Sequence, residues 1–183
     1  MKVAHIEKSS YIYGPGKRFV IWTQGCSIRC KGCWNEDMWD FEGGKNISIT
    51  EIIELIKSDP EVEGITILGG EPFDQFKELK KLVDEISKNK ITLIIYTGYE
   101  LEEIHEKQFS EILNKIDILI TGKYIEKLRV TDKQWIGSTN QKIMFLTDRY
   151  DNTVLENGCY AEILIDEFGK IRYLGFPDDI LEP

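Results

Sequence analysis

The chain has almost no histidine, little cysteine and no long apolar run, and each shortage removes a class of protein. It holds two histidines and four cysteines in 183 residues. Four cysteines are too few for a disulfide scaffold, and three of them fall within eight positions, where pairing would leave an odd thiol over. No stretch approaches the roughly 18 consecutive apolar residues that span a bilayer, and the opening MKVAHIEKSS lacks the apolar region of a secretory signal. The expectation is a soluble, cytoplasmic protein with no membrane partner. Basic residues are also short, 23 against 32 acidic, and the net charge of −9 speaks against non-specific binding to nucleic acid. Apolar residues make up 42% of the chain, enough for one sizeable core. No repeat, low-complexity tract or Pro-rich linker divides it, so the reading is a single domain over residues 1–183.

The cysteines that are present carry the strongest signal. Cys26, Cys30 and Cys33 are spaced C-x₃-C-x₂-C. Three readings fit such a loop. Structural zinc wants four ligands, and the two histidines, His5 and His105, lie far off in sequence. A redox C-x-x-C needs only Cys30 and Cys33 and leaves Cys26 unexplained. An iron–sulfur cluster uses all three thiolates and leaves one iron without a protein ligand, an open site where chemistry can happen. Cys159 is remote from the other three, and the plain expectation is a small buried residue in a strand. Charge is uneven too. Residues 1–35 balance to +5, with Arg29 and Lys31 inside the cysteine loop, where cations favour thiolate ligation.

Hydrophobic periodicity places this loop in an α/β pattern. Residues 18–23 (RFVIWT) read as a buried strand delivering the chain into the loop. Residues 48–58 read as a short amphipathic helix with Thr50 as N-cap and Pro60 just beyond its end. A strand follows at 64–68, a helix at 74–88, a strand at 91–96, a weaker helix at 100–114 and a strand at 117–121. Residues 142–147 predict a fifth strand, and 162–166 with 170–175 a β-hairpin. Strict alternation argues for parallel βαβ units. A full (β/α)₈ barrel takes roughly 250 residues, so the predicted fold is an incomplete, open (β/α) barrel of five or six mostly parallel strands. Its core covers about 14–147, with a β appendage at about 150–183. In parallel folds ligands sit beyond the carboxyl ends of the strands. The cysteine loop, Gly69-Gly70-Glu71-Pro72, residues 97–99 and residues 122–123 should therefore share one rim. The two glycines let backbone groups approach a ligand, and Glu71 offers an acceptor for an amine. Read alone, such a turn is more often a tight βα connection, and its place on the same rim as the three cysteines reverses that balance.

On these residues the chain resembles the radical S-adenosylmethionine superfamily, whose C-x₃-C-x₂-C signature is matched by Cys26, Cys30 and Cys33 and whose Gly-Gly-Glu-Pro motif is matched by residues 69–72. The closer likeness is to anaerobic ribonucleotide reductase activating proteins, within the glycyl-radical-enzyme activases. It rests on Gly14-Pro15-Gly16-Lys17-Arg18, on Cys30-Lys31-Gly32-Cys33-Trp34-Asn35 with Trp39, on Tyr96-Thr97-Gly98-Tyr99 and on Gly137-Ser138-Thr139-Asn140-Gln141-Lys142.

The resemblance implies an enzyme with a [4Fe–4S] cluster held by Cys26, Cys30 and Cys33, whose open iron binds S-adenosylmethionine. One electron then cleaves the sulfonium, and a 5′-deoxyadenosyl radical abstracts hydrogen. It also implies that Gly32, Cys33 and Trp34 lie beside the methionine moiety, with Trp34, where the family commonly has tyrosine, as an apolar lid. Gly69, Gly70 and Pro72 would line the cofactor, Glu71 would take its amino group, and Thr97 its ribose or carboxylate. The implied partners are a glycyl-radical enzyme such as an anaerobic ribonucleotide reductase, and a reduced flavodoxin or ferredoxin-type electron donor. Two other readings stay open: radical chemistry on a small molecule or peptide, and a cluster module that only transfers electrons. The turn at Gly14-Pro15-Gly16 with Lys17 and Arg18 fits function or simple closure of the fold, and the segment beyond Tyr150 extends past the likeness.

Overall fold

The structure, a computed structural model, describes residues 1–89, 91–156, 158 and 160–175. In chain order it contains β1 (Lys2–Ser10), β2 (Arg18–Thr23), β3 (Lys45–Asn46), α1 (Ile49–Lys57), β4 (Gly64–Gly69), α2 (Phe76–Ser87), β5 (Thr92–Tyr96), α3 (Leu101–Glu106), β6 (Ile118–Thr121), β7 (Lys142–Phe145), β8 (Ala161–Ile165) and β9 (Ile171–Gly175). Seven strands form one sheet in the order β3-β1-β2-β4-β5-β6-β7, and β8 and β9 form a separate antiparallel hairpin. The central strands β2, β4, β5 and β6 are parallel. Antiparallel strands flank them: β1 on β2, β3 on β1, and β7 on β6.

The fold class is the expected α/β, with two corrections. The main sheet has seven strands, not five or six, because residues 2–10 and the two-residue β3 add strands that periodicity did not reveal. The pairing of β1 with β2 is broken by irregularities between Val3 and His5 and between Glu7 and Ser10, so alternation of burial is lost along β1. The expected fifth strand exists as β7 but runs antiparallel to β6. The predicted location of Cys159 in a strand lies outside the described residues. Among the described residues no helix is long and apolar enough to cross a membrane.

Helix ends follow local chemistry. Ser48, not Thr50, caps α1: its side chain accepts from the Glu51 N–H at 3.1 Å, which places Thr50 inside the first turn. The predicted helix over 100–114 breaks in two. α3 stops at Glu106, Gln108 adopts φ 61°, and a 3₁₀ segment runs Ser110–Lys115. Between them Phe109 turns inward to stack on Phe76 with ring centroids 4.3 Å apart, which a straight helix would prevent.

Strands buried on both faces read as continuous apolar runs, and the two faces are covered differently. On one, Phe19 and Ile21 of β2, Ile65 and Ile67 of β4 and Leu93 and Ile95 of β5 pack with the apolar stripes of α1 and α2. On the other, Ile94, Ile118 and Ile120 meet Trp135 and Ile136, while Val20 and Trp22 meet Leu164 and Leu174 of the hairpin.

Arg18 is a fully buried cation on that second face. It donates from Nε to Thr66 Oγ1 (3.1 Å), from Nη1 to Thr92 Oγ1 (2.8 Å) and from Nη2 to the Ile65 carbonyl (2.5 Å). Burial pulls its pKa down to about 10. Gly64 makes room for it, since a Cβ there would sit 1.9 Å from Nη1. Arg18→Ala should cost about 3 kcal/mol in urea unfolding, because buried hydroxyls and a carbonyl lose their donor and a cavity opens. Arg18→Met, which restores volume, should recover part of that loss.

Candidate metal centre

β2 ends at Thr23 and the chain enters a loop that closes on itself. The Gly25 N–H donates to the Met38 carbonyl (2.8 Å) and the Cys26 N–H to the Trp39 carbonyl (3.1 Å). The side chain of Gln24, itself buried, donates to the carbonyls of Asp37 (3.2 Å) and Asp40 (2.8 Å). Gln75 reaches across from the start of α2 to hold the Gln24 carbonyl (2.9 Å). Within the loop Arg29 and Gly32 both take positive φ, 49° and 71°, so the chain turns tightly twice between Cys26 and Cys33. Cys26 is buried, and Cys30 and Cys33 are half-buried.

The loop rests on the end of β4. The Gly70 N–H donates to the Thr23 carbonyl (2.8 Å) and the Glu71 N–H to the Gly25 carbonyl (2.9 Å). Gly69 has φ 107°, and a Cβ on Gly70 would lie 2.3 Å from the Gly25 oxygen. No side chain fits between these backbones.

Glu71 then ties β4 to the end of β5. Its carboxylate accepts from the Phe73 N–H (3.0 Å), the Gly98 N–H (2.8 Å) and the Thr97 hydroxyl (2.9 Å). Burial nonetheless pushes its pKa up to about 7, with those three donors opposing the rise. Asp74 pins the cysteine loop from the same turn, accepting from the Ser27 N–H (2.6 Å), the Ser27 hydroxyl (2.9 Å) and the Tyr99 hydroxyl (2.9 Å). Sequence reasoning missed Asp74, Ser27 and Gln75. Their signal was faint: a hydroxyl directly after the first cysteine and an acid two residues past the Gly-Gly-Glu-Pro turn.

One cavity collects most of the expected residues: Cys26, Cys30, Cys33, Trp34, Gly69, Gly70, Glu71 and Thr97 all line it. Gly32 and Pro72 do not. Gly32 is exposed beside Glu126, and Pro72 is buried at the start of a 3₁₀ turn that leads into α2. A segment after β6 closes the other side. Glu126 pairs with Lys31 at 3.2 Å, and Arg129 stacks over the Trp34 ring at 4.7 Å.

Burial raises the Cys26 and Cys30 thiols above their ordinary pKa. The opposing pull comes from backbone N–H groups, those of Arg29 and Ile28 on Cys26 and that of Tyr124 on Cys30, with a smaller contribution to Cys30 from Lys123. The Asn35 N–H donates to Cys33 Sγ at 3.4 Å. Thiolates spread around a cavity with N–H groups on their sulfurs suit a multi-iron cluster, in which each takes its own iron.

A family model described as a 4Fe-4S single cluster domain matches residues 12–144. An anaerobic ribonucleoside-triphosphate reductase-activating protein of Enterobacteria phage T4 is 33% identical over 154 residues, covering 81% of this chain and 96% of its own. The protein of that name in Haemophilus influenzae is 33% identical over 141 residues, covering 72% and 90%. A pyruvate formate-lyase-activating enzyme of Staphylococcus aureus is 30% identical over 141 residues, covering 70% of this chain and 56% of its own.

Two outcomes are expected. Gly70→Ala should displace the cysteine loop and lower the iron and sulfide bound after reconstitution by more than half, while the helical circular dichroism signal persists. Glu71 keeps its proton to higher pH in the folded state than in the unfolded state. Its contribution to stability is therefore full below about pH 4.5 and is lost as pH rises towards 7, a fall on the order of 3 kcal/mol. Glu71→Gln should flatten this part of the profile in urea titrations of the metal-free protein.

Proposed function

The chain belongs to the radical S-adenosylmethionine family of glycyl-radical-enzyme activating proteins, and from that premise we propose that it installs a glycyl radical on an anaerobic ribonucleotide reductase. The observation that carries this reading is the convergence of Cys26, Cys30 and Cys33 with Gly69, Gly70 and Glu71 on one cavity. Cys26, Cys30 and Cys33 would hold a [4Fe–4S] cluster, and with three thiolates for four irons they would leave room on it for the cofactor. When bound, the cluster supplies the electron that cleaves the sulfonium of S-adenosylmethionine and so generates a 5′-deoxyadenosyl radical. We place the activity in the cytoplasm, with a reduced flavodoxin or ferredoxin-type protein as donor.

The chain's own residues position and shield. The Gly69-Gly70 backbone lets the methionine moiety approach closely, with Cys33 and Trp34 facing it, Gly32 turning the chain outside the cavity and Pro72 fixing the exit of the turn. Glu71 already holds three donors, and a carboxylate has about four acceptor sites. One acceptor position is left for the cofactor's amino group. Thr97 donates to Glu71 and accepts from the Tyr99 N–H (3.1 Å), so its part is to aim that carboxylate rather than to grip ribose. Apolar walls, among them Ile28, Leu68 and Trp135, exclude water from a site where a primary radical attacks whatever lies near. An incomplete (β/α) barrel, open between β3 and β7, admits a glycine-bearing loop of a larger protein.

The test is anaerobic reconstitution, reduction with dithionite, and assay of 5′-deoxyadenosine from S-adenosylmethionine together with the glycyl-radical electron paramagnetic resonance signal of an added reductase. Both should form with the intact chain. Cys30→Ala should lower 5′-deoxyadenosine at least a hundredfold, and full cleavage by that variant would refute the cluster assignment.

A further inference from the structure

The β8–β9 hairpin lies beyond residue 144, where the 4Fe-4S family match ends. Its two faces differ. The inner face carries Leu164 and Leu174, which pack on Val20 and Trp22 of β2. Polar ties fasten that side: Arg172 to Glu7 (3.0 Å), the Ser10 hydroxyl to Glu162 (2.6 Å), and the Gly175 N–H to the Tyr13 hydroxyl (3.0 Å). A two-stranded hairpin is marginal alone, so these contacts hold it in one pose.

The outer face is apolar. Register pairs Ile163 with Tyr173 and Ile165 with Ile171 on that side, and all four are exposed, Ile165 at 68%. At the tip, Asp166 accepts from the N–H groups of Phe168 (3.0 Å) and Lys170 (2.9 Å), and Gly169 takes φ 77°. This built turn presents Phe168, 87% exposed, at the tip of the hairpin. Clustered exposed apolar side chains on a fixed strand pair mark an interaction surface, and an aromatic is the usual anchor of one.

The open end of the hairpin identifies what it meets. Tyr160 and Gly175, at the mouth of the strand pair, line the same cavity as the three cysteines. A polypeptide loop that enters that cavity on the side of Tyr160 and Gly175 meets the open end of the hairpin. An anionic lipid surface is disfavoured by the chain's charge of −9. Building on the activase reading above, we propose that the outer face of the β8–β9 hairpin, with Phe168 at its tip, docks the protein whose glycine is the target of the site. Phe168 would enter an apolar pocket on that protein, and Ile163, Ile165, Ile171 and Tyr173 would cover the surface around it.

The test uses the reconstituted full chain and the anaerobic ribonucleotide reductase encoded in the same genome. Binding is followed by calorimetry, radical installation by electron paramagnetic resonance, and cofactor cleavage by 5′-deoxyadenosine formed with dithionite alone. Phe168→Ala and Ile165→Ser, each at an exposed position, should weaken binding at least tenfold and shift half-maximal radical yield to correspondingly higher reductase concentration. Cleavage without the reductase should stay within twofold of the unaltered chain. Unchanged binding and radical yield in both variants would overturn the docking assignment alone. It would be overturned equally if the unaltered chain proved to be a dimer that Phe168→Ala converts to a monomer, since the face would then be an interface between copies. If the unaltered chain cleaves the cofactor but leaves no radical on the reductase, the activase reading fails and the docking assignment falls with it.

Discussion

The site depends on one steric condition: the backbones leaving β2 and β4 touch, and nothing larger than hydrogen can stand between them. Hydrogen bonds from Gly70 to Thr23 and from Glu71 to Gly25 close that contact. Gly69 meets the requirement with positive φ, and Gly70 by the missing Cβ. Everything nearby inherits its position from this contact. The cysteine loop is carried by β2 and the Gly-Gly-Glu-Pro turn by β4, so a fixed distance between the two strand ends is a fixed distance between thiolates and turn. Parallel pairing of β2 with β4, running in register from Arg18 with Gly64 to Thr23 with Gly69, brings both ends to the same level.

From that contact the constraint spreads outward through two buried or half-buried carboxylates. Glu71 links the turn to the end of β5, and Asp74 links it back to Ser27 beside the first cysteine. Both act as acceptors for groups that would otherwise be left unpaired at strand ends, where regular sheet bonding stops. Three consecutive strand ends are thereby joined without a helix or a disulfide. The rest of the inner face is covered by pieces that carry no βα regularity, the segment around Trp135 and the C-terminal hairpin.

What could be read in the chain follows from this division. The strands at 18–23 and 64–69 were legible to within a residue because they are buried on both faces, and the cysteine and Gly-Gly-Glu-Pro motifs were legible because their chemistry is local. β1 was not, since its irregular pairing erases the alternation that marks a strand. The direction of β7 was not, since a short apolar run carries no sign of which way it pairs. Asp74 was not, because an acid in a helix-leading turn looks like any cap until Ser27 and Tyr99 are seen to face it. The hairpin was legible as a hairpin. Its exposed outer face was not, since Ile163, Ile165 and Ile171 read as core in any hydropathy pattern.

The electrostatics of the cysteine loop also differ from what its charges suggest. Arg29 and Lys31 stand within the loop, and an anionic cluster invites the view that they stabilise it. Lys31 is instead paired with Glu126 and almost fully solvated, so its field at the sulfurs is both cancelled and screened. The groups that act on the sulfurs are chiefly backbone N–H dipoles from Ile28, Arg29, Tyr124 and Asn35, with a smaller contribution from Lys123. Such dipoles are held by the turn itself, cost little desolvation and do not move with salt or pH. The same positive φ at Arg29 that turns the chain between Cys26 and Cys30 sets its N–H on the Cys26 side. A protein of strongly negative charge can thus hold thiolates, and the anionic cluster they would ligate, mainly through backbone dipoles, with Lys123 adding a smaller share.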